Sequence, residues 1–253
     1  MTTSTTTAAE PAGTPVEDIE GWLTNDQAHV LAAAAASCPP AGGIVEIGSF
    51  RGKSTIVLAR AAPQGVSIVS IDPHAGNDRG PQEIDGYTAE AASDREVFER
   101  NLERAGVGHR VRHVRQFSHD AHAAVNGFVD VLYIDGAHRY RPARADIRDW
   151  GARVADGGTM LIHDSFSSVG VTLAIGRELM FGRRFRYVGR SRSLAHYQAD
   201  LSGRRRSARV ANAVRQLAEL RWFVRNVVVK MLIVGGVGKL IARTGRRAPE
   251  WPY

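Results

Sequence analysis

The 253-residue sequence predicts an α/β protein built on a doubly wound, mostly parallel sheet. Two observations lead to this prediction. Short β-branched runs alternate with longer helical segments along the chain, and polar or acidic residues follow the strands at their carboxyl ends. The strand interiors are mostly apolar, as expected for strands that are covered on both faces. Hydrophobic residues make up 43% of the chain, which is enough for a folded core.

The elements can be placed in order along the chain. Thr24 and Gln27 form a predicted capping box at the start of a first helix that reaches about Ser37. The predicted strands are residues 44–47, 66–71, 111–114, 129–134, 159–162, 186–189 and 194–197. The predicted helices between them are about residues 54–62, 94–105, 142–154 and 171–180. A polar loop at about 75–88 is longer than such a connection needs and is a candidate substrate lid.

Composition divides the chain into three segments. Residues 1–20 are rich in Thr, Ala and Pro and are predicted to be a disordered leader; residues 21–200 form the globular domain. Residues 201–253 are a basic helical extension with 12 Lys/Arg and 2 Asp/Glu, so the first 200 residues carry 21 Lys/Arg against 24 Asp/Glu, a net charge of −3. Without a basic excess, this part of the chain is not expected to take nucleic acid as its substrate. The single cysteine, Cys38, excludes an intramolecular disulfide, and no signal peptide is visible, so the predicted location is cytoplasmic.

The extension contains apolar residues at alternating spacings of three and four, which predicts an amphipathic helix. These residues are Val210, Ala213, Leu217, Leu220, Val224, Val227 and Met231. Such a helix can pack on its own domain, on a second subunit in a homodimer, or on a membrane surface as a peripheral contact. All three remain open from the sequence. The apolar stretch at 227–241 is too short to span a bilayer.

The first candidate ligand site is the glycine turn after the first strand. From Glu46 to Thr55 the chain reads E-I-G-S-F-R-G-K-S-T. Gly48 and Gly52 allow the backbone to come close to a ligand, and the next helix directs its unpaired N–H groups into the turn. Glu46 offers a carboxylate to a cationic or hydroxyl group. A dinucleotide loop would need G-x-G-x-x-G, and a triphosphate loop would need one residue more than this turn has.

Titratable side chains follow three later strands. Asp72 ends the second strand, where an acid in nucleoside-binding α/β folds accepts hydrogen bonds from ribose hydroxyls. Asp135 and Asp164 end neighbouring strands and can converge on a hard cation such as Mg²⁺. His163 is either a third ligand or a hydrogen-bonding partner of the ligands. His138 follows Asp135 closely and is the candidate general base for removing a hydroxyl proton.

Together these motifs resemble the class I S-adenosylmethionine-dependent methyltransferases, and within them the metal-dependent O-methyltransferases of polysaccharide and antibiotic biosynthesis. The resemblance rests on the glycine turn, on I-D-P-H at 71–74, on Y-I-D-G-A-H-R-Y at 133–140 and on L-I-H-D-S-F at 161–166, and it covers about residues 21–197. It implies a Rossmann-like seven-stranded sheet with a closing antiparallel hairpin. It also implies S-adenosylmethionine as the methyl donor and Mg²⁺ as the metal.

The resemblance assigns roles residue by residue. Asp135, Asp164 and His163 are the predicted metal ligands and His138 is the predicted base, although relatives often carry a carboxylate in place of His163. The predicted cofactor-binding residues are Glu46, Ile47, Gly48, Ser49, Gly52, Ser54, Asp72, His74, Gln116, Ser118 and Asp135.

The implied acceptor is a sugar hydroxyl. The motif set is most similar to enzymes that methylate the reducing-end 1-hydroxyl of mannose oligosaccharides in methylmannose polysaccharide synthesis. A catechol or another small phenol is an alternative acceptor, and a large polar groove near residues 75–88 would favour the sugar. A non-catalytic binding module with the same fold, recruited to its partner by the basic extension, is the alternative from another class. The acids at the strand ends argue against that module.

Overall fold

The computed structural model describes residues 16–76, 88–202 and 205–234, so most of the predicted loop at 75–88 lies outside the described residues. The strands are β1 (Gly43–Ile47), β2 (Ser67–Ile71), β3 (Val111–Val114), β4 (Val129–Ile134), β5 (Val154–Ile162), β6 (Phe185–Ser191) and β7 (Leu194–Ala199). The helices are α1 (Asn25–Ala36), α2 (Lys53–Ala61), α3 (Thr88–Arg104), α4 (Tyr140–Ala145), α5 (Val169–Glu178), α6 (Arg206–Ala218) and α7 (Leu220–Val234).

The seven strands form one sheet in the order β3-β2-β1-β4-β5-β7-β6. Strands β1 to β5 run parallel to their neighbours, and β7 pairs antiparallel with both β5 and β6. The chain reverses its direction of winding between β1 and β4, which is the switch point at which such sheets bind ligands. The predicted doubly wound sheet with a closing hairpin is therefore confirmed.

Alternate residues of each strand enter two separate apolar layers, because successive side chains point to opposite faces of a sheet. Val45 and Ile47 of β1 belong to one layer, which α4 and α5 cover. Ile44 belongs to the other layer, together with residues of α1, α2 and α3. Ile19 is buried in this second layer, so residues 16–20 of the predicted leader pack onto the domain. The capping box of Thr24 and Gln27 opens α1 as predicted.

Several elements differ from their predicted bounds: α3 starts at Thr88 and not near residue 94, and the two elements on either side of Arg153 differ most. The helix expected at 142–154 is the short helix α4 followed by a π-helical turn (Asp146–Trp150) and a 3₁₀ turn (Gly151–Arg153). Strand β5 starts at Val154 instead of Thr159, and its pairing with β4 skips from Val154 to Thr159. The residues between Val154 and Thr159 thus form a bulge within the strand.

The extension packs on the domain mainly through polar side chains. Asn212 accepts a hydrogen bond from the backbone N–H of Tyr187 on the edge strand β6 at 2.7 Å, and Gln216 accepts one from the Tyr197 hydroxyl at 3.1 Å. Of the predicted apolar seam, Ala213 is buried. Its members with more than two fifths of their surface exposed are Val210, Leu217, Val224 and Met231. The extension forms two helices, α6 and α7, where one amphipathic helix was predicted, and amides that satisfy the sheet edge occupy much of the packed face of α6.

Contact of the exposed apolar side chains with a second subunit or a membrane stays a prediction. In the part of the chain that the structure describes, no helix has both the length and the apolar character that crossing a bilayer requires.

Candidate active site

A cleft of about 1420 Å³ opens at the carboxyl ends of the parallel strands. Backbone hydrogen bonds of 2.8 to 2.9 Å hold the tips of neighbouring strands together there. The N–H of Gly48 donates to the carbonyl of Ile71, the N–H of Asp135 donates to the carbonyl of Ile47, and the N–H of His163 donates to the carbonyl of Ile134. Most predicted site residues line this cleft: Ile47, Gly48, Ser49, Ser54, Asp72, His74, Ser118, Asp135, His138, His163 and Asp164. Glu46, Gly52 and Gln116 lie outside the lining that the described residues form.

The glycine turn is held to the end of β2 by the carboxylate of Asp72. One carboxylate oxygen accepts hydrogen bonds from the backbone N–H groups of Ser49 at 2.8 Å and Phe50 at 3.0 Å, and the other accepts one from His74 N–H at 2.8 Å. Gly48 has φ +84°, and a Cβ there would lie 2.2 Å from the carbonyl oxygen of Asp135. This glycine therefore lets the turn approach the tip of β4.

The other glycine of the motif has a packing role. Gly52 precedes α2 with φ +87°, and a Cβ there would lie 2.7 Å from a methyl group of Leu102 in α3. The sequence motif alone does not distinguish this packing contact from close approach to a ligand.

Glu46 lies beneath the turn and is fully buried. Its carboxyl group accepts hydrogen bonds from the hydroxyls of Ser54 and Thr55 at the start of α2, both at 2.5 Å, and from Ser70 of β2 at 2.9 Å. Burial raises the pKa of Glu46 to about 7, although the three hydroxyl donors act in the opposite direction. The residue thus ties β1, β2 and α2 together under the cleft.

The segment after β3 contributes Phe117 and Ser118, whereas Gln116 points outward and is exposed. The Ser118 hydroxyl donates to the carboxyl group of Asp146, and its carbonyl accepts a hydrogen bond from the Trp150 indole at 3.1 Å. Burial raises the pKa of Asp146 to about 6, and the bond from Ser118 lowers it. The π-helical turn therefore fixes this side of the cleft.

Asp135, His138 and Asp164 form an acidic–histidine group at the tips of β4 and β5. Each offers one ligand atom, and these three atoms lie within 4.8 Å of one another. His138 Nε2 lies 3.0 Å from Asp164 Oδ2. The two carboxylates at this spacing are suitable ligands for a divalent cation, and the His138 nitrogen lies beside them, where it can act as a base next to a bound cation.

His163 lies under this group and is almost fully buried. Its Nε2 faces the side-chain oxygen of Gln27 at 3.4 Å, and this oxygen already accepts a hydrogen bond from Thr24 N–H at 2.9 Å. A proton on Nε2 fits this arrangement. Its Nδ1 has no hydrogen-bond partner of good geometry in the described structure, yet it lies 3.2 Å from Asp135 Oδ1. A buried nitrogen beside two carboxylates calls for a bound proton or a cation.

The charges of this group shift its pKa values. Burial alone would lower the pKa of His138, but the hydrogen bond that His138 donates to Asp164 and the charges of Asp164 and Asp135 raise it above its usual value. Burial likewise opposes protonation of His163, and the same two carboxylates raise its pKa well above the usual range. Burial acts to raise the pKa of Asp164, yet the two histidines hold it well below its usual value. Without a cation, the group is an ion pair network.

The lining of the cleft also includes residues that were not identified from the sequence. Trp22 and Phe50 have ring centroids 5.2 Å apart, and Val227, Lys230 and Met231 of α7 belong to the same lining. Trp22 and the α7 residues carry no ligand-binding motif, because they reach the cleft through tertiary packing.

Comparison with known proteins agrees with this geometry. A family model described as a methyltransferase domain matches residues 45–165, the range that contains the glycine turn and the acidic–histidine group. The cofactor-bound protein Rv0187 from MTB superposes with a TM-score of 0.51 and 21% identity over 74% of this chain and 85% of that one. The O-methyltransferase NovP gives a TM-score of 0.53 and 18% identity over 69% of this chain and 80% of that one. At these identities the two structures establish the fold. The family match thus spans residues 45–165, just under half of the chain, and the described residues have the Rossmann-like methyltransferase fold of these two structures.

Proposed function

We propose that this chain is an O-methyltransferase that transfers the methyl group of S-adenosylmethionine to a sugar hydroxyl in the cytoplasm. The proposed acceptor is the reducing-end 1-hydroxyl of a mannose oligosaccharide, as in methylmannose polysaccharide synthesis. The observation that carries the proposal is the acidic–histidine group of Asp135, His138 and Asp164, which shares one cleft with the glycine turn. A donor site and a hydroxyl-activating group in one cleft are what methyl transfer needs.

The donor would lie along the glycine turn. Ile47, Gly48, Ser49 and Ser54 line this part of the cleft, with Asp72 at the tip of the adjacent strand. We assign the ribose hydroxyls to the Asp72 carboxylate, whose two oxygens have acceptor capacity beyond the backbone bonds they already make. The adenine would lie near Ser118. This orientation directs the methyl group toward the tips of β4 and β5, and transfer then depends mainly on alignment with the acceptor oxygen.

The acidic–histidine group fits a metal. Asp135 and Asp164 would hold Mg²⁺, and the buried Nδ1 of His163, which lacks a hydrogen-bond partner in the described structure, faces the same carboxylates. The cation would supply the positive charge that lowers the pKa of the acceptor hydroxyl and orients it. The cation would offset the negative charges of Asp135 and Asp164, which otherwise raise the pKa of His138. Burial, which lowers this pKa, would then favour the neutral form of His138. A neutral His138 can then accept the hydroxyl proton.

The size of the cleft favours an acceptor larger than a simple phenol. Its volume of about 1420 Å³ exceeds the roughly 300–1000 Å³ of a site for one small ligand. The cofactor would fill only part of it. The tips of β4 and β5 contribute the polar side chains of Asp135, His138, His163 and Asp164 to the lining, which suits a hydroxyl-rich acceptor.

The test is a methyl-transfer assay with labelled S-adenosylmethionine. Mannose oligosaccharides with a free 1-hydroxyl, the same oligosaccharides blocked at that position, and catechol serve as acceptors, each with Mg²⁺ or with excess chelator. We expect transfer only to the free sugar and only with Mg²⁺. His138→Gln should lower kcat by about 10²- to 10⁴-fold, the usual contribution of a general base. His29→Gln, on the exposed face of α1, is the matched control and should act like the parent.

The other outcomes separate the alternatives. Transfer to catechol with none to mannosides would support the phenol acceptor. Binding of S-adenosylhomocysteine with no transfer to any acceptor would support a non-catalytic module. Full activity in chelator contradicts the metal, and full activity of the His138 variant contradicts the base.

A further inference from the structure

The C-terminal helix α7 forms one side of the catalytic cleft. Its residues Val227, Lys230 and Met231 line the same cleft as Asp135, His138 and Asp164. These α7 residues lie beyond the range that the methyltransferase family model matches, which ends at residue 165. A part of the chain outside the recognised domain therefore contributes to the site.

Two side chains of α7 hold the loop that follows β5. The fully buried Asn226 donates a hydrogen bond to the Phe166 carbonyl at 3.1 Å, and the Lys230 ammonium donates one to the Ser167 carbonyl at 3.0 Å. Asp164 and Phe166 in this loop have φ values of +52° and +54°. Such left-handed conformations of non-glycine residues persist only where the surroundings fix them. The two hydrogen bonds from α7 therefore help to hold this loop, and with it the backbone of Asp164, in its observed conformation.

The lysine brings a positive charge to this part of the cleft. Lys230 is partly buried, which lowers its pKa, and the charge of Asp164 acts in the opposite direction. The two groups thus lie within each other's electrostatic field. Val227 lies one helical turn before Lys230, and Met231 follows it directly. All three residues line the cleft, so apolar side chains lie on both sides of Lys230.

We propose that Lys230 is an acceptor-binding residue, which donates a hydrogen bond to an acceptor oxygen adjacent to the hydroxyl that is methylated. Val227 and Met231 contact the apolar face of the same sugar ring. A cation beside an apolar surface suits a carbohydrate, since a sugar ring offers hydroxyl oxygens at its edge and C–H groups on its face. This inference rests on the proposed function and adds a residue that selects the acceptor.

Steady-state kinetics of three variants test the proposal. Lys230→Met should raise the acceptor KM by about 10-fold, the effect of losing one hydrogen bond to a charged group. Lys230→Arg keeps the charge and should stay within roughly threefold of the parent. Arg221→Met removes a charge from the exposed side of the same helix, outside the cleft lining in the described structure, and should leave KM unchanged. All three should bind S-adenosylhomocysteine with the affinity of the parent.

The kinetic pattern separates acceptor binding from a structural role of Lys230. A lower kcat with an unchanged acceptor KM in Lys230→Met means that the lysine only holds the Ser167 loop, and this result overturns the proposal. If this variant does not fold, Met231→Trp gives the answer, because the exposed Met231 tolerates a larger side chain. The larger side chain should obstruct the acceptor and raise its KM at least roughly threefold. An unchanged KM would refute the proposal that α7 contacts the acceptor. The comparison uses whichever acceptor the parent methylates, so a failed mannoside assay counts only against the proposed acceptor.

Discussion

Replacing Glu46 by glutamine should change how stability depends on pH. The carboxyl group is fully buried, and burial raises its pKa from 4.5 to about 7. As pH rises from 4.5, the unfolded chain releases this proton while the folded protein keeps it. The folded state therefore loses stability across this range, and the loss ends once the pH exceeds about 7.

The size of the effect follows from the shift. One pKa unit corresponds to about 1.36 kcal/mol, so a shift from 4.5 to about 7 corresponds to about 3 kcal/mol. Glutamine resembles the protonated acid: its amide oxygen can accept from the Thr55 and Ser70 hydroxyls, and its NH2 group can donate to the Ser54 hydroxyl oxygen. The free energy of unfolding of Glu46→Gln should thus gain about 3 kcal/mol relative to the parent between pH 4.5 and pH 7.5.

Urea unfolding followed by circular dichroism at several pH values measures this difference. Glu103→Gln, at an exposed position of α3, is the control and should show a constant difference from the parent. A flat difference for Glu46→Gln over the same range would refute the reasoning. A loss of S-adenosylhomocysteine binding without this change in stability would instead support direct contact between Glu46 and the cofactor.

Three further results are expected. Gly48→Ala should destabilise the protein by more than about 3 kcal/mol in urea unfolding, since its Cβ would lie 2.2 Å from Asp135 O. Gly65→Ala has the same φ of +84° with no atom within 4 Å, and it should cost only about 1 kcal/mol; equal costs would contradict the steric explanation. Asp72→Asn should weaken S-adenosylhomocysteine binding by about 10-fold in calorimetry, and unchanged affinity would exclude the ribose contact. Asp164→Asn should lower the pKa of His138 in an NMR titration with chelator, because burial then acts against a smaller negative charge; a constant pKa would contradict the pairing.

Much of the fold was predictable because its signals are local. The β-branched runs, the capping box at Thr24 and the acid after each central strand depend on residues close in sequence, and the observed sheet follows them. The same local reading placed Asp135, His138 and Asp164 together, since the carboxyl ends of neighbouring parallel strands share one edge.

The remaining features depend on distant contacts. The sequence could not show that Glu46 would be covered by the Ser54 and Thr55 hydroxyls instead of facing the cleft. Apolar spacing predicted an amphipathic helix but could not show that Asn212 would be buried in the packed face of α6, where it satisfies the edge of β6. Lys230 carries no motif, and it reaches the cleft only when α7 folds against the loop after β5.

The hydrogen bond from α7 to Ser167 also affects the order in which the parts of the cleft form during protein synthesis. Asn226 and Lys230 are made about sixty residues after the loop that they hold. A ribosome-bound chain that has exposed all seven strands still lacks this clamp, so Asp164 and Phe166 have nothing from α7 to fix their backbone. The sheet can therefore assemble early, whereas the side of the cleft that α7 lines is completed only when this last described helix has emerged.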